Sequence, residues 1–156
     1  MSKGEPATAG LVVPPPAIFA AALAGGLVLD RVLGQTSFGR AYTRTVGVLS
    51  ILAGLGIGAS ALLSIKRVGS DPSPFAPTTA LATSGPFKLS RNPAYVGATS
   101  IYIGIALCTR SLQALTFLPI ALAVLDREVV AREERYLEST FGKEYRSYAK
   151  RVPRWF

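Results

Sequence analysis

Residues 45–65, TVGVLSILAGLGIGASALLSI, form a run of 21 residues without a charged side chain. An α-helix rises about 1.5 Å per residue, so a helix of this length crosses the hydrocarbon core of a bilayer, which is about 30 Å thick. The glycines Gly54, Gly56 and Gly58 would weaken a helix in water, but they allow close contact between helices in lipid. This run therefore predicts a transmembrane helix.

Three more apolar segments flank that run. Arg110 alone separates the last two, which predicts a tight helical hairpin, and Asp30 and Arg31 near the end of the first are expected at the membrane interface. We therefore predict an all-α integral membrane protein with about four transmembrane helices and a C-terminal amphipathic cytosolic helical segment. The predicted spans are about 14–33, 45–65, 92–109 and 111–126, followed by a cytosolic tail at 127–156, all within one domain, 1–156.

The composition agrees with this class. Hydrophobic residues make up 49% of the chain and charged residues only 17%, a balance typical of membrane proteins. The net charge is +8, and the basic residues lie between apolar runs rather than along one stripe. We therefore expect membrane lipids, and no nucleic acid, among the partners. The alternative is a soluble bundle of buried helices, which rarely contains an uncharged run of about 20 residues.

The basic residues also predict the orientation. With four crossings, the N-terminus, the loop between the second and third spans and the tail share one side of the membrane. Most of the 17 Lys and Arg residues lie on that side, whereas the other side carries Arg31, Arg40, Arg44 and Arg110. The positive-inside rule then places both termini and the active site in the cytosol, at a bacterial-type inner membrane or its equivalent.

Two residue types limit the chemistry. The chain has no histidine, which excludes histidine-based triads and most zinc sites, and we predict no metal site. Its one cysteine, Cys108, lies in an apolar run and cannot form an intrachain disulfide. The first residues lack the features of a signal peptide, so the first apolar segment is expected to stay in the protein.

The tail carries an apolar stripe at helical spacing, with a predicted break near Gly142. One member is an acid, Glu134, and Glu133 lies beside it. Both acids either pair with Arg127, Arg132 or Arg135 on a solvated face or find a partner on the apolar side, because an unpaired buried carboxylate is costly. The stripe consists of Val130, Glu134, Leu137, Phe141, Tyr145, Tyr148 and Val152.

The loop before the third span, SGPFKLSRNPAYVG at 84–97, has the features of a helix start. Pro93 suits the first turn, and Asn92 just before it is a good N-cap. The backbone N–H groups there, with Arg91 and Lys88, predict a place for an anion or a polar ligand at the membrane surface. Anchoring to lipid phosphate is the alternative, and it explains Lys88 alone.

Two blocks carry a resemblance to a known family. GPFKLSRNPAYVG, followed after the hairpin by EERYLESTFGKEYRSYAKRVPRW, resembles the isoprenylcysteine carboxyl methyltransferase and phospholipid methyltransferase superfamily of integral membrane enzymes. The resemblance covers roughly residues 78–155. It implies that the two blocks together bind S-adenosylmethionine, beside an opening through which a lipid-like or prenylated substrate enters from the bilayer.

The resemblance also implies the site residues. Arg91 is expected to hold the carboxylate of S-adenosylmethionine, and Glu133 or Glu134 its ammonium and sulfonium. Arg91 and Glu134 are therefore the expected catalytic residues. The chain departs from the prenylcysteine enzymes at Asn92, where their RHPxY pattern has histidine, and this bears on the substrate more than on the cofactor. The expected cofactor-binding residues are Gly85, Phe87, Lys88, Leu89, Arg91, Asn92, Tyr95, Glu133 and Glu134.

The resulting prediction is S-adenosylmethionine-dependent methyl transfer to a hydrophobic or lipid-like acceptor, with a prenylcysteine-type carboxylate as one candidate. The alternatives are a non-catalytic four-helix membrane protein, such as a transporter subunit or assembly factor, and a nicotinamide-dependent reductase. The predicted spans have no ionisable residue at mid-depth, which argues against an ion-coupled carrier. The chain's end has two interpretations, an interfacial anchor through Trp155 and Phe156 or a cover over the active site.

Overall fold

The structure, a computed structural model, describes residues 10, 13–34, 42–73 and 76–155. Within these residues the helices are joined by turns and loops and there is no strand, which confirms the all-α part of the predicted class. Arg40 and Phe156, which entered the predictions above, lie outside the described residues. The helices are α1 Pro15–Leu33, α2 Tyr42–Arg67, α3 Pro93–Cys108, α4 Leu112–Leu125, α5 Ala131–Phe141 and α6 Lys143–Ala149; a 3-10 turn covers Gly85–Lys88 and a π-helical turn Asp126–Val130.

Two of these helices, α1 and α2, are long and apolar enough to cross a membrane, judged by length and composition. Helix α3 is also apolar, but it has only 16 residues, and α4 has 14, so both are shorter than α1 and α2. On α2 large apolar side chains point outward; Leu49, for example, is 60% exposed and Leu52 58%. The core helix of a soluble protein would bury such side chains, so their exposure favours a lipid environment. The prediction of four crossings stays a prediction.

Helices α2 and α3 pack closely along facing glycines. A Cβ atom added to Gly54 would lie 2.5 Å from the carbonyl oxygen of Gly97, and one added to Gly104 would lie 2.6 Å from that of Gly47. The two backbones therefore touch, as the glycine-rich sequence of α2 indicates. Gly56 has no such role, because a Cβ there would meet nothing within 4 Å.

Helix α1 packs against α4, where the backbone of Ala114 leaves no room for a side chain at Gly26. The two helix pairs join at Tyr102 of α3. Its hydroxyl donates to the Ala114 carbonyl over 2.7 Å, and its ring packs on Phe19 with the centroids 6.1 Å apart. The core around this contact consists of Phe19, Tyr102, Leu125, Val129 and Val130.

The turn between α3 and α4 is as tight as its sequence predicts. Arg110 has a φ of 56°, in the left-handed region that reverses the chain after a helix. Ser111 then begins α4, since its side-chain oxygen accepts from the backbone N–H of Ala114 over 2.9 Å. The predicted tight turn is confirmed, while the two helices that it joins pack mainly on others, α3 on α2 and α4 on α1.

Asp30 is buried inside the protein. The residue is only 3% exposed, and among the described residues neither carboxyl oxygen has a hydrogen-bond partner. Its place one turn beyond Gly26 puts it on the face of α1 that packs against α4. The neighbouring Arg31 is exposed. The position of both residues at the membrane interface stays a prediction.

The tail folds back over the helices. Gly142, with a φ of 52°, separates α5 from α6, so the predicted break is confirmed. The stripe also turns inward as predicted, because Tyr145, Tyr148 and Val152 form a second buried cluster. Trp155 is held by the protein: it packs against the first core and donates to Asp126 Oδ1 over 3.1 Å. This arrangement favours the interpretation of the chain's end as a cover.

Candidate active site

A cavity of about 800 Å³ lies beside the start of α3. Its apolar part is lined by α1 and by one face of α3 from Tyr95 to Ile105, which spans about 15 Å at the rise of an α-helix. Its polar end is lined by five of the predicted site residues, Arg91, Asn92, Tyr95, Glu133 and Glu134. A cavity with an apolar cleft and a polar end suits an amphipathic ligand.

The loop before α3 is fixed by the end of the chain. The Arg91 backbone N–H donates to the Pro153 carbonyl over 3.0 Å, and Ser90 Oγ donates to the Arg154 carbonyl over 3.0 Å. The predicted N-cap needs correction: Asn92 occupies the N-cap position, but its side chain makes no capping bond. Its Nδ2 instead donates to the Arg154 carbonyl over 3.0 Å. The amide thus joins the loop to the tail, which a local reading of RNPAY does not reveal.

Glu134 lies between two arginines. Arg91 Nη2 is 3.0 Å from Glu134 Oε1, and Arg154 Nη2 donates to Glu134 Oε2 over 2.5 Å. The side chains of Arg91 and Glu134 are 16% and 15% exposed, so this ion pair is largely removed from water. The contact between Arg91 and Glu134 is an ion pair without hydrogen-bond geometry. Among the described residues, Glu134 Oε1 has no hydrogen-bond donor and Arg91 Nε has no acceptor. Two charged groups therefore keep unused hydrogen-bonding capacity at the polar end of the cavity.

Glu133 is paired with a different element. The Tyr95 hydroxyl on α3 donates to Glu133 Oε1 over 2.7 Å. Burial raises the pKa of Glu133 to about 7, and the charge of neighbouring Glu134 adds to this, while the bond from Tyr95 lowers it. A carboxyl group with such a pKa exchanges protons near neutral pH, as a general base must.

Two of the basic neighbours proposed for the two acids, Arg132 and Arg135, have other partners. Arg132 pairs with Glu128 over 2.9 Å on the surface, and Arg135 Nε donates to the Ala131 carbonyl of its own helix. The interpretation of both acids as members of a solvated face is therefore wrong. The partners of Glu134 come instead from the loop before α3 and from the end of the chain.

The remaining predicted residues lie around the 3-10 turn. Phe87 lines the cavity, and its carbonyl accepts from the Tyr148 hydroxyl over 2.8 Å. Gly85, Lys88 and Leu89 are exposed and are not part of the cavity lining. A role for these three in cofactor binding stays a prediction.

Sequence reasoning missed Arg154 as a member of the site. Besides Glu134, it binds Asp126, with Nη1 lying 3.1 Å from Oδ2. The motif that ends in RVPRW contains it, but its basic and aromatic surroundings suggested a headgroup anchor instead. Tyr145 and Tyr148 also line the cavity, and the helical spacing of the stripe indicated that they point inward.

Comparison with known proteins supports the family resemblance that the two sequence blocks carry. A profile of the phospholipid methyltransferase family matches residues 42–144, a range that contains every predicted site residue. That family lies within the isoprenylcysteine carboxyl methyltransferase-like superfamily, which confirms the resemblance stated above.

Three curated relatives share parts of the sequence. The cobalt-zinc-cadmium resistance protein CzcN of Cupriavidus metallidurans is 38% identical over 76 residues, 49% of this chain and 35% of its own length. The nickel-cobalt-cadmium resistance protein NccN of Alcaligenes xylosoxydans xylosoxydans is 32% identical over 79 residues, 51% of this chain and 37% of its own. An uncharacterised protein of Haemophilus influenzae is 53% identical over 36 residues, 23% of this chain and 57% of its own. The matches to the two metal-resistance proteins thus span only about a third of their length.

Proposed function

We propose that this chain, which belongs to the phospholipid methyltransferase family, transfers a methyl group from S-adenosylmethionine to a lipid-like acceptor within the membrane. The observation that carries the proposal is the meeting of Arg91 with Glu134, and of Tyr95 with Glu133, at the polar end of the cavity. Each contact joins a residue of the first sequence block, GPFKLSRNPAYVG, to a residue of the second, EERYLESTFGKEYRSYAKRVPRW. The two blocks of the resemblance thus enclose one polar site.

The polar end fits the amino-acid part of S-adenosylmethionine. That part is a zwitterion, with a carboxylate suited to the guanidinium of Arg91 and an ammonium suited to the carboxylate of Glu134. The unused donor at Arg91 Nε and the unused acceptor at Glu134 Oε1 provide the hydrogen bonds that such a zwitterion needs. When bound there, S-adenosylmethionine supplies an electrophilic methyl group on a positively charged sulfur.

The apolar cleft fits the acceptor. Its walls carry Phe19, Ala20 and Leu23 of α1 and Ile101 and Ile105 of α3. A hydrocarbon chain in this cleft would place its polar head at Tyr95 and Glu133, beside the donor site. The proposed acceptor is therefore a membrane lipid or a lipid-like molecule, with a prenylcysteine-type carboxylate as one candidate.

The residues of the site perform simple tasks in this reaction. Methyl transfer is an in-line displacement, in which the bond from carbon to sulfur breaks as the bond to the acceptor forms, so alignment and exclusion of water matter most. Arg91 and Glu134 orient the donor. An amine acceptor must also lose a proton, which Glu133 can accept because its pKa lies near neutral. A carboxylate acceptor has no proton to lose and needs the alignment alone.

The proposed arrangement in the membrane follows the charges and the cavity. We propose four crossings by α1 to α4, with α5, α6 and the polar end of the cavity on the cytosolic side. The tail is rich in Lys and Arg, which the positive-inside rule places in the cytosol. S-adenosylmethionine is a water-soluble cytosolic molecule, so this orientation also gives it access to the site.

Calorimetry and a methylation assay test the function. Purified protein in detergent is titrated with S-adenosylmethionine and, as a control for the reductase alternative, with NADPH. Membrane lipid extract is then incubated with protein and radiolabelled methyl donor, and the labelled product is separated by class. Binding of S-adenosylmethionine and transfer of label to a lipid are expected. Absence of both would favour the non-catalytic alternative and would contradict the proposal.

A further inference from the structure

A second cavity, of about 460 Å³, adjoins the first. The two share Arg91, Glu134 and Tyr145 as a common wall, and α5, α6 and Arg154 provide the rest of the second lining. Its lining is strongly basic, with five cationic side chains against the carboxylates of Glu134 and Glu138. The cationic residues are Arg91, Arg135, Arg146, Lys150 and Arg154.

The carboxylates do not neutralise this charge. Arg91 and Arg154 share Glu134, and Arg146 lies 3.4 Å from Glu138. In the described part of the chain, Arg135 and Lys150 have no carboxylate within salt-bridge distance, and both are exposed to the cavity's solvent side. The second cavity therefore presents cationic groups that an anion can use.

A buried donor at the common wall lacks an acceptor. Tyr145 is only 4% exposed, and its hydroxyl has no hydrogen-bond partner among the described residues. Burial raises the pKa of Tyr145 to about 12, so the hydroxyl keeps its proton at neutral pH and can donate it in a hydrogen bond. A buried donor without a partner is unfavourable, and a bound acceptor would remove that cost.

We propose that the second cavity binds a phosphate-type anion, held by Tyr145, Arg135 and Lys150. Phosphate offers several acceptor oxygens, which matches a set of donors too numerous for a single carboxylate. The anion comes either from free phosphate or from the headgroup of an anionic lipid. The site shares Arg91, Glu134 and Tyr145 with the first cavity, whereas Arg135 and Lys150 line the second cavity alone, so a test on Lys150 does not depend on the proposed methyl transfer.

Titration calorimetry with inorganic phosphate tests the site. Full-length protein in a neutral detergent is titrated at constant ionic strength, with chloride as the reference anion. Saturable binding is expected, and Tyr145→Phe and Lys150→Ala are each expected to raise the Kd by about tenfold or more, because each removes a hydrogen bond to a charged group. The matched control is Lys143→Ala, which changes an exposed lysine at the start of α6, the helix that Lys150 directly follows; Lys143 lies outside the cavity lining, so this variant should leave the Kd unchanged.

A second titration identifies the source of the anion. Soluble short-chain phosphatidylglycerol is compared with phosphatidylcholine of the same chain length. Tight binding of inorganic phosphate identifies the free anion, whereas tight binding of phosphatidylglycerol alone, with the same response to the variants, identifies a headgroup. Failure of both to bind saturably, or equal binding by Lys150→Ala and Lys143→Ala, would overturn the proposal. Lys150 is exposed, so this comparison stays decisive even if Tyr145→Phe does not fold.

Discussion

Arg91 Nη2 lies 3.0 Å from Glu134 Oε1, with both side chains mostly buried. The contact joins the loop that begins α3 to the helix that follows the last apolar segment. Because Arg154 binds the other oxygen of the same carboxylate, three parts of the chain converge on Glu134. Removing Glu134 would leave two arginines without their shared partner, which is why this residue is the most informative one to change.

The first prediction concerns Glu134. Glu134→Gln removes the charge that we assign to the ammonium of S-adenosylmethionine, so the Kd for this cofactor should rise by about tenfold or more, as expected for a lost bond to a charged group. Titration calorimetry in detergent measures it. Glu128→Gln is the matched control, since Glu128 makes an exposed ion pair with Arg132 on the surface. Equal affinities of the two variants would contradict the assignment.

The second prediction concerns pH and the free energy of unfolding. The pKa of Glu133 is about 7 in the folded protein against an ordinary value of 4.5. The unfolded chain therefore releases this proton first, so the free energy of unfolding should fall as the pH rises from 4.5 to about 7. Denaturation in detergent at several pH values measures the slope. Glu133→Gln does not titrate, and a slope as steep in this variant as in the native chain would show that Glu133 is not its source.

The third prediction concerns Tyr95. Its bond to Glu133 lowers the pKa of that carboxyl group, so Tyr95→Phe should raise the pKa further. If Glu133 accepts the proton of an amine acceptor, the methylation rate should then require a pH higher by about one unit, the usual effect of one hydrogen bond on a pKa. A pH profile of label transfer measures this. Tyr42→Phe, at an exposed tyrosine, should leave the profile in place.

The fourth prediction concerns the contact between α2 and α3. Gly54→Ala places a methyl group against the Gly97 carbonyl and should lower the free energy of unfolding by about 1–3 kcal/mol, the usual cost of overpacking. Gly56→Ala meets open space, so it should be neutral or raise the free energy of unfolding by up to about 1 kcal/mol, the helix preference of alanine. Reversible denaturation in detergent compares the two. Similar losses for both would contradict the glycine contact.

The fifth prediction concerns the link from Asn92 to the tail. Asn92→Ala removes the donor to the Arg154 carbonyl, so the chain's end should open more often. Trypsin should then cut after Lys150 or Arg151 about fivefold faster, because one net hydrogen bond contributes about 1 kcal/mol. Mass spectrometry of timed digests measures the rate. Leu89→Ala, in the same loop and 72% exposed, should digest like the native chain.

The sequence by itself determined the helices and the two functional blocks. Apolar runs predict α1 to α4, Arg110 predicts the tight turn between α3 and α4, and the spacing of the tail stripe predicts the inward face of α5 and α6. These features depend on the order of residues along a single segment. Periodicity and length express them directly, whatever the rest of the chain does.

The tertiary structure alone decided which polar groups meet. Nothing near Glu134 in the sequence indicates that Arg91 and Arg154 bind it. The side-chain amide of Asn92 likewise does not cap α3 but donates to the Arg154 carbonyl near the end of the chain. The burial of Asp30 likewise follows from how α1 packs on α4. Such contacts depend on how separate segments pack together. Since burial and charge pairing are set by neighbours distant in sequence, local patterns do not contain them.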